Sequence, residues 1–184
     1  MKSIAILGDG CYPRKAYPLY VLDTADVVIC CDGAFVKWLR HSHSMRQLPD
    51  AVIGDLDSLP ASLRRRYPDI MVHVDEQENN DQTKALIYAL EHFCNDPSEE
   101  YEIHFIGASG RREDHTVGNM SLMMEYERRY HLSDRGIRAQ MLSDWTVMFA
   151  VSGSCRFYAG DSREVSLFCP DPTVQIKSEG LRWP

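Results

Sequence analysis

Among its six cysteines the chain has no pair at CxxC spacing, which excludes a CxxC redox or metal motif. Cys30 and Cys31 are adjacent inside an apolar run and read as buried, reduced thiols behaving as small hydrophobes. No apolar run approaches the length of about 20 residues that spans a bilayer. The start, Met1-Lys2-Ser3-Ile4, opens directly on a strand-like segment without a signal-peptide layout, so a cytoplasmic protein without membrane partners is expected. Positive charge is scarce: 20 Lys and Arg against 27 Asp and Glu give a formal charge of −7. That balance argues against a nucleic-acid binder, which needs a basic face. It fits acids gathered for a metal, and an acidic surface equally. His41, His43, His73, His92, His104 and His131 show no metal-ligand spacing and read as surface or packing residues. Neither a GxGxxG nor a Walker loop is present, and there is no repeat or low-complexity tract.

What is present is the patterning of an ordinary globular chain, with 44% hydrophobic and 26% charged residues over 184 positions. Apolar runs at Ser3–Leu7, Val27–Cys31, Ala51–Ile53, Ile70–Val74 and Tyr101–Ile106 suit strands covered on both faces. Helical spacing runs between them over 34–41, 81–94 and 117–130. Strands alternating with helices predict a doubly wound, mostly parallel, Rossmann-like α/β sheet over residues 1–135. From about Ser133 the texture changes. Short strand-like runs at 139–142, 146–151, 155–158, 165–168 and 174–176, separated by turn signals, predict a small antiparallel β-sandwich or barrel domain over 136–184. The end at Gly180-Leu181-Arg182-Trp183-Pro184 leaves that unit looking unfinished.

Polar clusters fall where the parallel strands end, which is where such sheets bind ligands. Gly8-Asp9-Gly10 follows the first strand, and Asp32-Gly33-Ala34 the second. Gly54-Asp55-Leu56-Asp57-Ser58 follows the third: two acids one residue apart, then a hydroxyl. Holding two acids together costs Coulomb energy that a divalent cation offsets, and an oxygen-only set suits magnesium. Gln77 to Lys84 opens a helix with Asn80 or Asp81 as its cap. Gly107-Ala108-Ser109-Gly110-Arg111-Arg112-Glu113-Asp114-His115 offers amides, a helix start and arginines to a phosphate. Each cluster alone also reads as a turn or a cap. Five along one sheet edge describe a nucleotide–metal site, where transfer is mainly positioning and charge neutralisation.

In this order and separation, GDLDS at 54–58, NDQTKAL at 80–86 and the GxxGxRxDH element at 107–115, with Asn119 beyond, resemble the thiamine pyrophosphokinase family. The Gly180 to Trp183 stretch is similar to that family's GLKW-type turn. The resemblance implies magnesium-dependent transfer of the pyrophosphoryl group of ATP to the hydroxyl of thiamine, giving thiamine diphosphate and AMP. It implies that Asp55, Asp57 and Asp81 hold Mg2+, directly or through water, and that Asp32 with Gly33 arranges that site and the triphosphate. Gln77 and Asp114 match positions near thiamine and the reacting phosphates, which makes Asp114 a catalytic candidate with the three metal-site acids. Gly107, Gly110 and Arg112 match the nucleotide side, and Trp183 is the candidate platform for thiamine. Residues 136–184 would form the thiamine-binding domain, and the site would lie at a homodimer interface. Two departures stand out: Asn80 where the family has Thr, and no Ser/Asn-rich continuation after the GLKW-like turn. The competing readings are a haloacid dehalogenase-like phosphatase using Asp55 and Asp57, and a non-catalytic nucleotide-binding module.

Overall fold

The structure is a computed structural model that describes residues 1–41, 43 and 45–182. The chain divides into two compact units, Met1–Ser152 and Gly153–Pro184. The first is mixed α/β, with seven strands in one sheet: β1 Lys2–Leu7, β2 Val27–Cys31, β3 Ala51–Gly54, β4 Met71–His73, β5 Tyr101–Ile106, β6 Ile137–Leu142 and β7 Val147–Met148. They lie in the order β4-β3-β2-β1-β5-β6-β7, every pair parallel except β6 with β7. Helices α1 Ala16–Thr24, α2 Ala34–Trp38, α3 Ala61–Arg66, α4 Asp81–His92 and α5 Glu113–Tyr130 connect them.

Burial explains the strands. Every residue of β2, Val27 to Cys31, is buried, as are Ile4 to Leu7 of β1 and Ile103 to Ile106 of β5. Such runs need cover on both faces, which the connecting helices supply. Helix α4 starts on a defined cap: Asn80 Oδ1 accepts from Thr83 N at 3.0 Å, and Asp81 places an acid in the first turn. Ala85, Leu86, Ala89 and Leu90 turn its apolar stripe into the core. Tyr126 of α5 reaches Thr83 Oγ1 at 2.7 Å and packs its ring 5.7 Å from Phe105, so α4, α5 and β5 share one packed cluster.

Five expected strands and three expected helices are found, with ends shifted by a few residues. Two helices had no sequence signal assigned. Helix α1 carries Pro18 and no side-chain cap of its own; Asp144 instead accepts from Arg14 N and Lys15 N, each at 2.9 Å. Helix α3 buries no residue.

The C-terminal third differs from expectation. Residues 139–142 belong to β6, which pairs with β5 in parallel from Tyr101↔Ile137 to Ile106↔Leu142. The expected division at 135/136 therefore falls inside the sheet, because α5 makes β6 one more strand-helix-strand crossover. Only Val147–Met148 of the 146–151 run is a strand. Among the described residues of Gly153–Pro184 no strand is present at 155–158, 165–168 or 174–176, and Phe168, Val174 and Ile176 are exposed. No helix among the described residues is long and apolar enough to cross a membrane.

Topology places the ligand edge. The chain runs outward from β1 through β2, β3 and β4, then returns to the other side of β1 with β5 and β6. The carboxyl ends of β1 and β5 are thus the switch point where a crevice opens.

Candidate active site

Two glycine turns form the floor of that crevice. Gly8 N donates to Ile106 O and Gly10 N to Gly107 O, both at 2.7 Å. A Cβ on Gly10 would stand 2.4 Å from the carbonyl oxygens of Gly107 and Ser109, so only glycine lets the two backbones approach this closely. Gly107 and Gly110 have φ of +67° and +86°, the left-handed region that turns β5 back toward α5. The cleft above has a volume of about 440 Å³, and Asp9, Gly33, Asp81, Arg111, Arg112 and Asn119 are among its lining residues.

The acids converge beside it from three elements. Gly54 ends β3 between Asp32 and Asp81: a Cβ there would lie 2.8 Å from Asp32 Cβ and 3.2 Å from Asp81 Oδ1. Asp32 is only 1% exposed. Its Oδ2 accepts from Ser58 N at 3.1 Å, while Oδ1 is buried without a hydrogen-bond partner. Burial, with Asp81 and Asp55 opposite, pushes its carboxyl up to about 6. Asp55 goes the other way: the Asp57 N–H, 3.1 Å from Oδ1, holds it below the usual carboxylate range, helped by Asp32, Lys84 and Gln77. Burial also raises Asp81, against the pull of Lys84 Nζ at 3.9 Å. Leu56 lies between Asp55 and Asp57 with φ +62°, a costly conformation for leucine that holds the acid turn in shape.

Asp32, Asp55, Asp81, Gln77 and Gly33 are therefore brought to one place. Asp57 stands beside them with an exposed side chain. Among the described residues, no three His, Cys, Asp or Glu side chains are already drawn into a metal-binding group. Arg112 and Asp114 grip each other at the start of α5, with Nε to Oδ1 at 3.1 Å and the terminal nitrogen to Oδ2 at 2.5 Å. Arg112 lines the cleft, whereas Asp114 lines a neighbouring depression of about 580 Å³ with Asn80, His115 and Asn119. Asn80 joins the two hollows: its amide donates to Asn119 Oδ1 at 3.0 Å, and Asn119 donates to Ala108 O at 2.8 Å. Trp183 lies outside the described residues. Lys37 and the side chain of Asp9 carry no local signal in the sequence: Lys37 meets Asp9 from 28 residues away and Arg111 from 102.

The family model described as "Thiamin pyrophosphokinase, catalytic domain" matches residues 19–133, more than half of the chain. The chain belongs to the thiamin pyrophosphokinase family. The matched stretch holds Asp32, Asp55, Asp57, Asp81 and the Gly107–Asp114 loop. Thiamine pyrophosphokinase 1 of Oryza sativa subsp. japonica is 24% identical over 149 residues, covering 76% of this chain and 53% of that protein. Thiamine pyrophosphokinase 2 of Arabidopsis thaliana is 33% identical over 89 residues, covering 44% of this chain and 32% of its own length. The chain thus spans about half, or less, of the curated relatives it matches. Yeast thiamin pyrophosphokinase shares the fold, with TM-score 0.66 at 15% identity over 80% of this chain and 60% of that one. The enzyme from Geobacillus thermodenitrificans superposes with TM-score 0.55 at 26% identity, over 76% of this chain and 59% of that one.

Proposed function

We propose that the chain transfers the pyrophosphoryl group of ATP to the hydroxyl of thiamine, forming thiamine diphosphate and AMP. One observation carries this reading. Asp32, Asp55 and Asp81 arrive from β2, β3 and α4 beside a double-glycine cleft at the switch point of the sheet.

The donor set fits magnesium. It is all oxygen, the carboxylates perturb one another, and Asp32 Oδ1 is a buried acceptor lacking a donor. Asp55, Asp57 and Asp81 would hold the ion, with Asp32 fixed behind them by Ser58. When bound, magnesium neutralises charge on the phosphate oxygens. The rest falls to the chain. The Gly8–Gly10 and Gly107–Gly110 turns let a polyphosphate approach the backbone closely. Arg112 presents a guanidinium whose direction is fixed by Asp114, and the attack needs little beyond alignment and charge balance. Gln77, beside Asp55, faces the acceptor side. Residues after Ser152, Trp183 included, would serve thiamine, in a cytoplasmic homodimer.

The test follows AMP and thiamine diphosphate in the presence of ATP, magnesium and thiamine. Both products are expected together, and only when all three reactants are present. AMP without thiamine would mean hydrolysis, inorganic phosphate alone would revive the phosphatase reading, and bound ATP without AMP would mean a nucleotide-binding module. Asp55→Asn and Asp57→Asn are each expected to lower turnover by about 100-fold, with far-UV circular dichroism unchanged. Full activity in both variants would remove the metal assignment.

A further inference from the structure

Asp9 stands in the cleft with two cations on it. Its Oδ1 is 2.8 Å from Lys37 Nζ of α2, and its Oδ2 is 2.6 Å from Arg111, which follows β5. The carboxylate lies against Gly33, where a Cβ would stand 3.0 Å from its Cγ and 3.1 Å from Oδ2. Lys37 Nζ is also anchored on the carbonyl oxygens of Asp9, at 2.6 Å, and Gly10. The bonds of Arg111 run to Asp9, at Oδ2 and, at 3.4 Å, at the carbonyl oxygen, and 63% of its side chain is exposed.

A carboxylate is a strange resident for a cleft that takes a polyphosphate. Like charges a few ångströms apart repel, and Asp32, Asp55 and Asp81 already crowd the adjacent end. The two cations resolve the difficulty. Without an anion they would repel each other, and Asp9 offers them two carboxylate oxygens in the place of phosphate oxygens. We propose that Asp9 is an internal stand-in for phosphate: it holds Lys37 and Arg111 while the cleft lacks nucleotide, and yields both to the polyphosphate chain when nucleotide enters. The proposal deepens the reading above, resting on its nucleotide cleft but not on the transfer step. It makes Asp9 a positioning residue that sets nucleotide affinity through Lys37 and Arg111.

The sign of the effect is fixed by the anchors. Since Lys37 keeps the carbonyls of Asp9 and Gly10, removing the carboxylate charge frees the cations without misplacing that one. Asn fits the same space against Gly33. Calorimetric titration of the full chain with inorganic tripolyphosphate and with ATP, at fixed magnesium and without thiamine, reads the affinity directly. Asp9→Asn is expected to tighten both by a similar factor of about 3–10, and Arg111→Gln to loosen both by about the same. In the Arg111→Gln background the gain from Asp9→Asn should shrink, and in turnover assays the change should fall on KM for ATP more than on kcat. Arg111→Gln alters an exposed side chain, so it keeps the test open should Asp9→Asn fold poorly. Unchanged or weaker binding in Asp9→Asn, or unchanged binding in Arg111→Gln, overturns the proposal. If Asp9→Asn tightens tripolyphosphate while no form of the chain makes thiamine diphosphate, the transfer reading falls and this one stands. If the wild-type chain binds neither ATP nor tripolyphosphate, both fall.

Discussion

Asp32 carries the least favourable charge in the site. It is buried, one oxygen lacks a donor, and its neighbours are carboxylates. Its folded pKa of about 6 lies above the 3.8 of an unperturbed aspartate. Between those values the folded chain binds a proton that the unfolded chain has released. Stability therefore falls as pH rises through that window and stays at the lower level above it. The neutral isostere removes the penalty. Asp32→Asn is expected to raise stability at pH 7 by about 1–3 kcal/mol and to flatten the decline between pH 4 and 6. Urea denaturation at a series of pH values measures both. The same variant should lose magnesium-dependent turnover, the pattern of a residue whose charge is kept for function at a cost in stability. A variant less stable than wild type at pH 7 would mean that the Ser58 N–H and nearby cations already compensate Asp32.

Asn80 shows how an element end serves the site. As the cap of α4 it accepts from Thr83 N and Oγ1, and its amide crosses to Asn119 of α5. Asn119 in turn holds Ala108 O in the nucleotide turn. Asn80→Ala removes cap and bridge together, and about 1–2 kcal/mol is expected. Asn80→Thr keeps a capping oxygen and loses only the bridge, so about half that loss is expected. At about 2–4 °C per kcal/mol, calorimetric melting resolves the two. Equal losses would mean that the cap contributes nothing and the bridge carries the whole effect. The cap was legible because NDQT is a local signal; the bridge was not, because Asn119 is 39 residues away. The same contrast runs through the elements. Val27–Cys31 announces a buried strand by itself, whereas Ile137–Leu142 alternates apolar with polar residues and reads as antiparallel until its pairing with β5 is seen. Helix α1 stayed hidden because it starts without a side-chain cap, and Asp144, which holds the two residues just before it, is 130 residues from Arg14. The acid turn was readable from residue order alone, yet the cations that meet Asp9 come from helix α2 and from the loop after β5.

At the scale of the whole molecule, core and cleft both lie inside the first unit. The buried cluster runs from Ile4 to Leu142, and the cleft is lined by residues between Gly8 and Asn119. The second unit contributes no strand among its described residues and leaves Tyr158 and Phe168 largely exposed. Folding free energy follows apolar area removed from water, so residues 1–152 hold nearly all of it. A chain ending at Ser152 is therefore expected to unfold cooperatively, with Tm within about 5 °C of the full chain, as fits a loss of only about 1 kcal/mol. It should bind tripolyphosphate as the full chain does, since the cations and the glycine turns are all retained. Thiamine-dependent release of AMP should disappear, because the proposed acceptor side lies after Ser152. Calorimetric melting, tripolyphosphate titration and the AMP assay on the one truncated protein separate these outcomes. Retained thiamine-dependent AMP would move the acceptor site into the α/β unit, next to Gln77 and Asp55. A collapse in Tm would instead make the C-terminal residues part of the fold's support.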